Sequence, residues 1–273
     1  MNDRMAVDCA IKNNLKEMAR SLVGTVKLPM HGTQKNYVAR FAALWYTDNK
    51  MTHERRGRIT AVAFDIDGTL YPQRALFWRM SGHFMRHCIF FLHYGIIRKQ
   101  IRTLPVQDDF YRTQNELLAA RLRCTPEDAQ KKLREIVYDG LAPYFKRIKP
   151  FPGVLETFKA FYDAGLKLGV LSDFPPEQKG DLWGCRAYAA VVLSAEATGA
   201  LKPAVHPFAV LAERLETPPE QILYVGNSVA YDVRGAHRAG FQTACIVPPG
   251  RAPVVEADFS FSTYRQLQQF VLK

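Results

Sequence analysis

The chain has 273 residues, 48% of them hydrophobic and 23% charged, a balance that supports a buried core and excludes intrinsic disorder, whose mark is low hydrophobicity. The formal net charge is +11, and the excess is local: residues 1–60 carry eleven Lys/Arg against five Asp/Glu, and residues 74–149 fifteen against seven. These cations are dispersed among Leu, Phe and Tyr rather than run together, which fits solvated helix faces or an anion-attracting site, so no nucleic-acid partner is expected.

In chain order, Ile11, Leu15, Met18 and Leu22 recur at helical spacing ahead of Gly24, and Tyr37, Phe41, Leu44 and Trp45 suggest a second helix. The regular pattern starts only after Arg55, Arg56 and Arg58, so residues 1–58 are expected to form an accessory extension. Residues 61–64 are a short apolar run ending at Asp65, the pattern of a buried parallel strand that delivers a residue at its carboxyl end. Similar runs follow at 168–171, 189–193, 222–225 and 243–247. Helical stretches at 154–164, 205–215 and 229–239 separate them, and such alternation builds right-handed crossovers over a parallel sheet. Residues 77–97, 110–122 and 126–138 read as helices with no strand signal among them, Thr125 and Pro126 supplying an N-cap and a first-turn proline. A helical insertion after the first strand belongs above the carboxyl edge of the sheet, where open α/β folds bind ligands.

Cys9, Cys88, Cys124, Cys185 and Cys245 form no CxxC pair or Cys/His ligand spacing. Neither structural zinc nor a disulfide framework is supported, and a cytoplasmic location is expected. The first residues lack a continuous apolar stretch and show no secretory pattern. The apolar run 88–97 is too short to span a bilayer and reads as buried helix.

The chemistry is concentrated in Asp65-Ile66-Asp67-Gly68-Thr69-Leu70, directly after the first strand. Two carboxylates spaced i and i+2 at a strand end can share a metal and a substrate, and Gly68 permits the turn that aims backbone groups inward. Three further stretches follow, the first and last at strand ends: Ser172 in Val170-Leu171-Ser172-Asp173, Lys202 in Leu201-Lys202-Pro203, and Gly226-Asn227-Ser228-Val229-Ala230-Tyr231-Asp232. Each is weak alone, but four in this order are hard to explain by structure alone.

Together these stretches resemble the motifs of the haloacid dehalogenase-like hydrolase superfamily, in its order, from residue 61 to about 247. The resemblance implies an α/β fold, a Rossmann-like doubly wound parallel sheet core (59–71 and 150–273) with an α-helical cap domain (72–149). It implies a Mg2+-dependent phosphatase acting on a small phosphorylated metabolite through a phosphoaspartyl intermediate. Asp65 is then the nucleophile and Asp67 the general acid and base. Ser172, Asp173, Lys202 and the turn at Gly68 bind the phosphate, and Asp65, Asp67 (through its backbone carbonyl), Asp232 and Asn227 serve the metal. The superfamily's dehalogenases lack an aspartate at the place of Asp67, which leaves phosphate-ester hydrolysis or, as an alternative, a phosphomutase.

The sequence departs from the pattern at Asn227, where the motif usually has Asp; an amide brings no charge, so metal should be held more weakly. A catalytically weak or inactive binding protein is therefore a second reading. Substrate choice is expected from Tyr71, Arg74, Phe77, Trp78, Arg79 and His83, nearest the first motif, and Leu70-Tyr71-Pro72 resembles pyrimidine nucleotidases of the superfamily. His83, His87 and His93 are expected to pack rather than to bind metal.

Overall fold

A computed structural model describes residues 58–273. Save for Arg58, the expected N-terminal extension and its two helices lie outside these residues.

Six strands form one parallel sheet: β1 (Ala61–Phe64), β2 (Lys167–Ser172), β3 (Val191–Ser194), β4 (Ile222–Gly226), β5 (Gln242–Ile246) and β6 (Phe259–Phe261). Their order is β3-β2-β1-β4-β5-β6. The fold is thus the expected α/β, Rossmann-like parallel sheet. β1 has no exposed residue because its alternate side chains enter two separate cores. Val62 and Phe64 join the cluster under α6 (Val154–Asp163) and α9 (Tyr264–Val271), where Phe64 stacks on Phe158 at 4.4 Å. Ala61 and Ala63 face the cluster built by α7 (Val205–Leu215), with Phe208 against Tyr224 at 5.0 Å. Because the chain goes from β1 to β2 on one side and pairs β4 on the other, the order reverses at β1, and a crevice opens beyond the carboxyl ends of β1 and β4.

The insertion between β1 and α6 is helical, as expected: α1 (Gln73–Arg86), α2 (Cys88–Ile101), α3 (Phe110–Leu122), α4 (Pro126–Leu133), a π turn (Arg134–Tyr138) and α5 (Asp139–Phe145). It owns a core, in which Phe90, Tyr94, Ile97 and Ile101 of α2 meet Phe110, Leu118 and Leu133. Thr125 caps α4 by accepting from Asp128 N, with Pro126 in the first turn.

The boundaries differ from expectation in three places. The single helix anticipated over 77–97 is two, broken at His87, whose φ of −117° and ψ of 24° leave the helical region. The helix anticipated over 229–239 opens as a π turn (Val229–Val233) before α8 (Arg234–Arg238), because Asp232 is drawn toward the start of its own loop. The helix anticipated over 126–138 ends at Leu133 and continues as the π turn Arg134–Tyr138, while ahead of α7 the peptide bond between Lys202 and Pro203 is cis.

Candidate active site

Asp65 follows β1 directly, and its N–H continues the sheet pairing onto Val225 O at 2.9 Å. Its carboxylate therefore emerges at the carboxyl end of the central strand, 5% exposed. Oδ1 accepts from Lys202 Nζ at 2.7 Å and Oδ2 from Thr69 Oγ1 at 2.8 Å. The Lys202 ammonium also donates to Asp232 Oδ1 at 2.6 Å and to the Tyr224 hydroxyl at 3.1 Å, so its three protons serve one buried cluster. Burial pulls the Lys202 ammonium down, but Asp232 and Asp65 outweigh it and hold it well above the usual lysine range. Burial pushes the Asp65 carboxyl up to about 7, Lys202 opposing and Asp232 and Asp67 adding to the rise.

Asp232 anchors a loop as well as a lysine: Oδ2 accepts from Asn227 N at 3.1 Å and Ser228 N at 2.9 Å. The side chain packs so closely on β4 that a Cβ at Gly226 would lie 2.4 Å from the Asp232 Cβ. The turn after Asp67 is equally tight. Gly68 has φ +90°, and a Cβ there would lie 2.3 Å from Asn227 Nδ2, so a side chain at this position would force the first and last motifs apart. Behind the turn, the Tyr264 hydroxyl of α9 donates to Thr69 O at 2.7 Å.

Asp67 is held by three donors of its own. The Tyr71 hydroxyl donates to Oδ1, while Lys179 Nζ at 3.1 Å and Ser172 Oγ at 3.4 Å reach Oδ2. Lys179 was not foreseen. It ends a short 3-10 turn (Pro176–Lys179), its side chain is fully buried, and its ammonium lies 5.1 Å from the Phe145 ring centroid and 5.6 Å from that of Phe174. Pro175 and Pro176 stiffen the loop that delivers it, yet a lone lysine after two prolines carries no recognisable signal in sequence. Each of the two front carboxylates thus has its own buried lysine. Lys179→Met, which removes one of the three donors to Asp67, is expected to lower kcat by roughly tenfold or more with little change in KM; steady-state kinetics check this.

All eight residues named from the sequence, Asp65, Asp67, Gly68, Ser172, Asp173, Lys202, Asn227 and Asp232, meet in this one crevice. Asp173 takes an unexpected part: Oδ1 accepts from Lys202 N at 3.0 Å and Oδ2 from Arg102, the C-cap of α2, whose guanidinium lies 4.5 Å from the Tyr231 ring centroid. Beside it, buried Arg98 pairs with buried Glu196 and also reaches Gln114 Oε1 at 3.3 Å and Asp173 O at 3.4 Å. The Tyr138 hydroxyl donates to the other Glu196 oxygen at 2.9 Å. This network ties α2, α3 and the π turn at Arg134–Tyr138 to the strand ends.

The residues expected to choose the substrate are placed otherwise. Tyr71 is fully buried and holds Asp67 instead of facing a ligand. Phe77 and Trp78 are 55% and 73% exposed. His83 is spent on the carbonyl of Ile136, at 2.8 Å, and rests 4.8 Å from the ring of His87, as packing predicts. Insertion side chains that do reach the crevice are Arg98 and Arg102, missed because they lie a full helix beyond the motif.

Among the described residues no three His, Cys, Asp or Glu side chains are grouped as a metal site. The oxygen donors of this cluster are those of Asp65 and Asp232 with the neighbouring Asn227 amide, a hard-cation set that is one carboxylate short of the usual pattern. Asp65, Asp67 and Asp232 outnumber Lys202 and Lys179, and a phosphate dianion would deepen the excess, so the charge balance favours a further cation.

Comparison with known proteins agrees with this geometry. The model of the haloacid dehalogenase-like hydrolase family matches residues 59–240. A glyceraldehyde 3-phosphate phosphatase of Methanopyrus kandleri is 30% identical over 205 residues, covering 69% of this chain and 84% of the relative. A ribulose-1,5-bisphosphate 5-phosphatase of Halopiger xanaduensis is 24% identical, covering 76% and 92%. The crystal structure of a HAD phosphatase from Thermococcus onnurineus superposes with a TM-score of 0.53 at 22% identity, over 78% of this chain and 98% of that one. The strand order, the four convergent motifs and these matches together place the chain in the haloacid dehalogenase-like hydrolase family.

Proposed function

We propose that the protein is a Mg2+-dependent phosphatase that hydrolyses a small phosphorylated metabolite through a phosphoaspartyl intermediate on Asp65. The observation that carries this reading is the pair of carboxylates two residues apart at the end of β1, each tied to a separate buried lysine, Asp65 to Lys202 and Asp67 to Lys179. Relatives named as phosphatases of glyceraldehyde 3-phosphate and ribulose-1,5-bisphosphate support the substrate class.

In the first half-reaction an Asp65 oxygen bonds to phosphorus, the bond from phosphorus to the leaving oxygen breaks, and Asp67 gives that oxygen its proton. In the second, Asp67 takes a proton from water, the water oxygen attacks the acyl phosphate, and inorganic phosphate leaves with the Asp65 carboxylate restored. Lys202 keeps Asp65 and Asp232 from repelling each other, and Ser172 Oγ and the N–H groups beside Gly68 and Asp173 face the phosphate oxygens. Magnesium, when bound, supplies the remaining positive charge; Asp65, Asp232, Asn227 and the Asp67 carbonyl would hold it. The helical insertion serves as the cap, fastened over the crevice by Arg98 and Arg102.

The test is hydrolysis of 4-nitrophenyl phosphate and a panel of phosphorylated sugars and nucleotides, with and without magnesium. Turnover that requires the ion supports the reading; no turnover of any ester, or equal turnover in a chelator, overturns it. Asn227→Asp adds the missing carboxylate, and the magnesium concentration for half-maximal rate is expected to fall by roughly tenfold, read from metal titrations of the rate. An unchanged midpoint removes Asn227 from the metal set.

A further inference from the structure

Helix α2 is apolar on two opposite faces. Phe90, Tyr94, Ile97 and Ile101 are buried in the core of the insertion, whereas Ile89, Leu92 and Ile96 on the other side are 68%, 64% and 38% exposed. A helix apolar all round calls for cover on both sides. The neighbouring α1 buries none of its residues, yet carries Trp78 at 73% exposure and Met85 at 76%. The stripe runs unbroken from one helix to the next: Phe77 lies 6.5 Å from Phe84, Phe84 stacks on Phe91 at 5.2 Å, and Phe84, Ile89, Phe91, Leu92 and Ile96 line one shallow groove. This is a contiguous apolar patch of the kind that soluble monomers rarely expose.

Along α1 and α2 themselves the charge is one-sided, and the carboxylates of Glu135 and Asp139 stand on the segment packed against α1. From Asp67 to Asp108 the sequence holds no intervening Asp or Glu, while Arg74, Arg79, Arg86 and Lys99 are exposed along the same two helices. A second copy of the chain docked through this face would bring two rows of like charge together. An anionic lipid surface meets both features at once, taking the apolar and aromatic side chains into the headgroup boundary and the cations against its phosphates. Among the described residues no helix is long and apolar enough to cross a membrane, so the fit is to a surface that α1 and α2 lie on.

We propose that the outer face of α1 and α2 is a docking surface for an anionic bilayer, a property separate from hydrolysis at Asp65. Full-length protein is floated with vesicles of phosphatidylcholine and phosphatidylglycerol in about equal parts, and with vesicles of phosphatidylcholine alone. At least about tenfold more protein is expected on the anionic vesicles, with retention declining as salt rises. Met85→Ser/Ile89→Ser/Leu92→Ser is expected to lose that binding by about tenfold while hydrolysing 4-nitrophenyl phosphate like the parent. Trp78 fluorescence, taken as the difference between the parent and Trp78→Phe, is expected to shift to the blue on adding anionic vesicles, a readout independent of how the triple variant folds. The proposal is overturned if the parent stays off the vesicles, if the triple variant binds as the parent does, if Trp78 keeps its emission, or if light scattering shows a dimer that the triple variant breaks while vesicle binding is absent.

Discussion

Asp65→Asn is expected to abolish turnover, lowering kcat by about 10⁴-fold or more, without unfolding the protein. The substitution keeps the size and planarity of the side chain, so an amide oxygen can still accept from Lys202 or Thr69, but no carboxylate remains to bond phosphorus. Stability supplies a second readout of opposite sign. Burial, with Asp232 and Asp67 against Lys202, pushes the Asp65 carboxyl from an ordinary 3.8 up to about 7. Below the lower value both folded and unfolded chains hold the proton and the position is neutral. As pH rises toward 7 the unfolded chain releases it first, so folding is progressively disfavoured, and above 7 the full penalty stands. Asparagine never ionises and escapes that penalty, while Lys202 keeps Asp232 as its partner. In metal-free buffer at pH 8 the variant is therefore expected to be more stable than the parent, by on the order of a few kcal/mol at most, and the gap should close toward pH 4. Thermal unfolding across that range together with kinetics decides the matter. A variant that is inactive and also less stable at pH 8 would make Asp65 a structural residue.

The sheet was legible because each of its first five strands is a short apolar run followed by a residue of different chemistry, and buried parallel strands leave that trace. β6 left less. Phe259–Phe261 is three residues long, too short for an alternation to stand out. α9 did announce itself, since Thr263 and Gln266 form a capping box, a signal present in the sequence but not read there. The break at His87 was not foreseen because both helices are apolar across it and neither Gly nor Pro marks it.

The residues that line the crevice were legible for a different reason. Asp65, Asp67 and Ser172 end a strand or follow one within three residues, where the backbone fixes their position and local sequence shows it, whereas Lys202 and Asp232 stand in the segments after β3 and β4 and were legible only through the order of the motifs. Lys179 stands on a 3-10 turn, Arg98 on α2 and Arg102 at its C-cap, and what brings them inward is packing between elements far apart in the chain. Tyr71 shows the same limit from the other side: adjacent to the motif, it was expected to grip a ligand, and burial turned its hydroxyl onto Asp67. Nearness in sequence to a nucleophile locates the loop and leaves open whether a side chain faces substrate or supports a neighbour.

Arg98→Met is expected to be the most destabilising substitution outside the catalytic cluster. Methionine fills much of the space beside Phe174 and Phe110, so the loss comes from Glu196, which has no exposed surface and would be left without its cation. Removing one partner of a buried pair typically costs about 3–5 kcal/mol, which for a domain of this size lowers Tm by roughly 10 °C. The pH dependence identifies the cause. Burial already raises the Glu196 carboxyl, against the pull of Arg98, and without the arginine nothing cationic opposes that rise. A raised carboxyl disfavours folding where it must ionise, so the deficit of the variant should be largest at alkaline pH and shrink as the pH falls and Glu196 accepts a proton. Adding Glu196→Gln to Arg98→Met removes the charge altogether and should recover most of the loss, because the two positions act as one unit and their effects do not add. If the double variant were no more stable than the single one, the defect would lie in packing against Phe174. The same pair joins α2 to the strand ends, so a double variant that recovers stability but not kcat would show that the charge holds the insertion in register over Asp65 and Asp67.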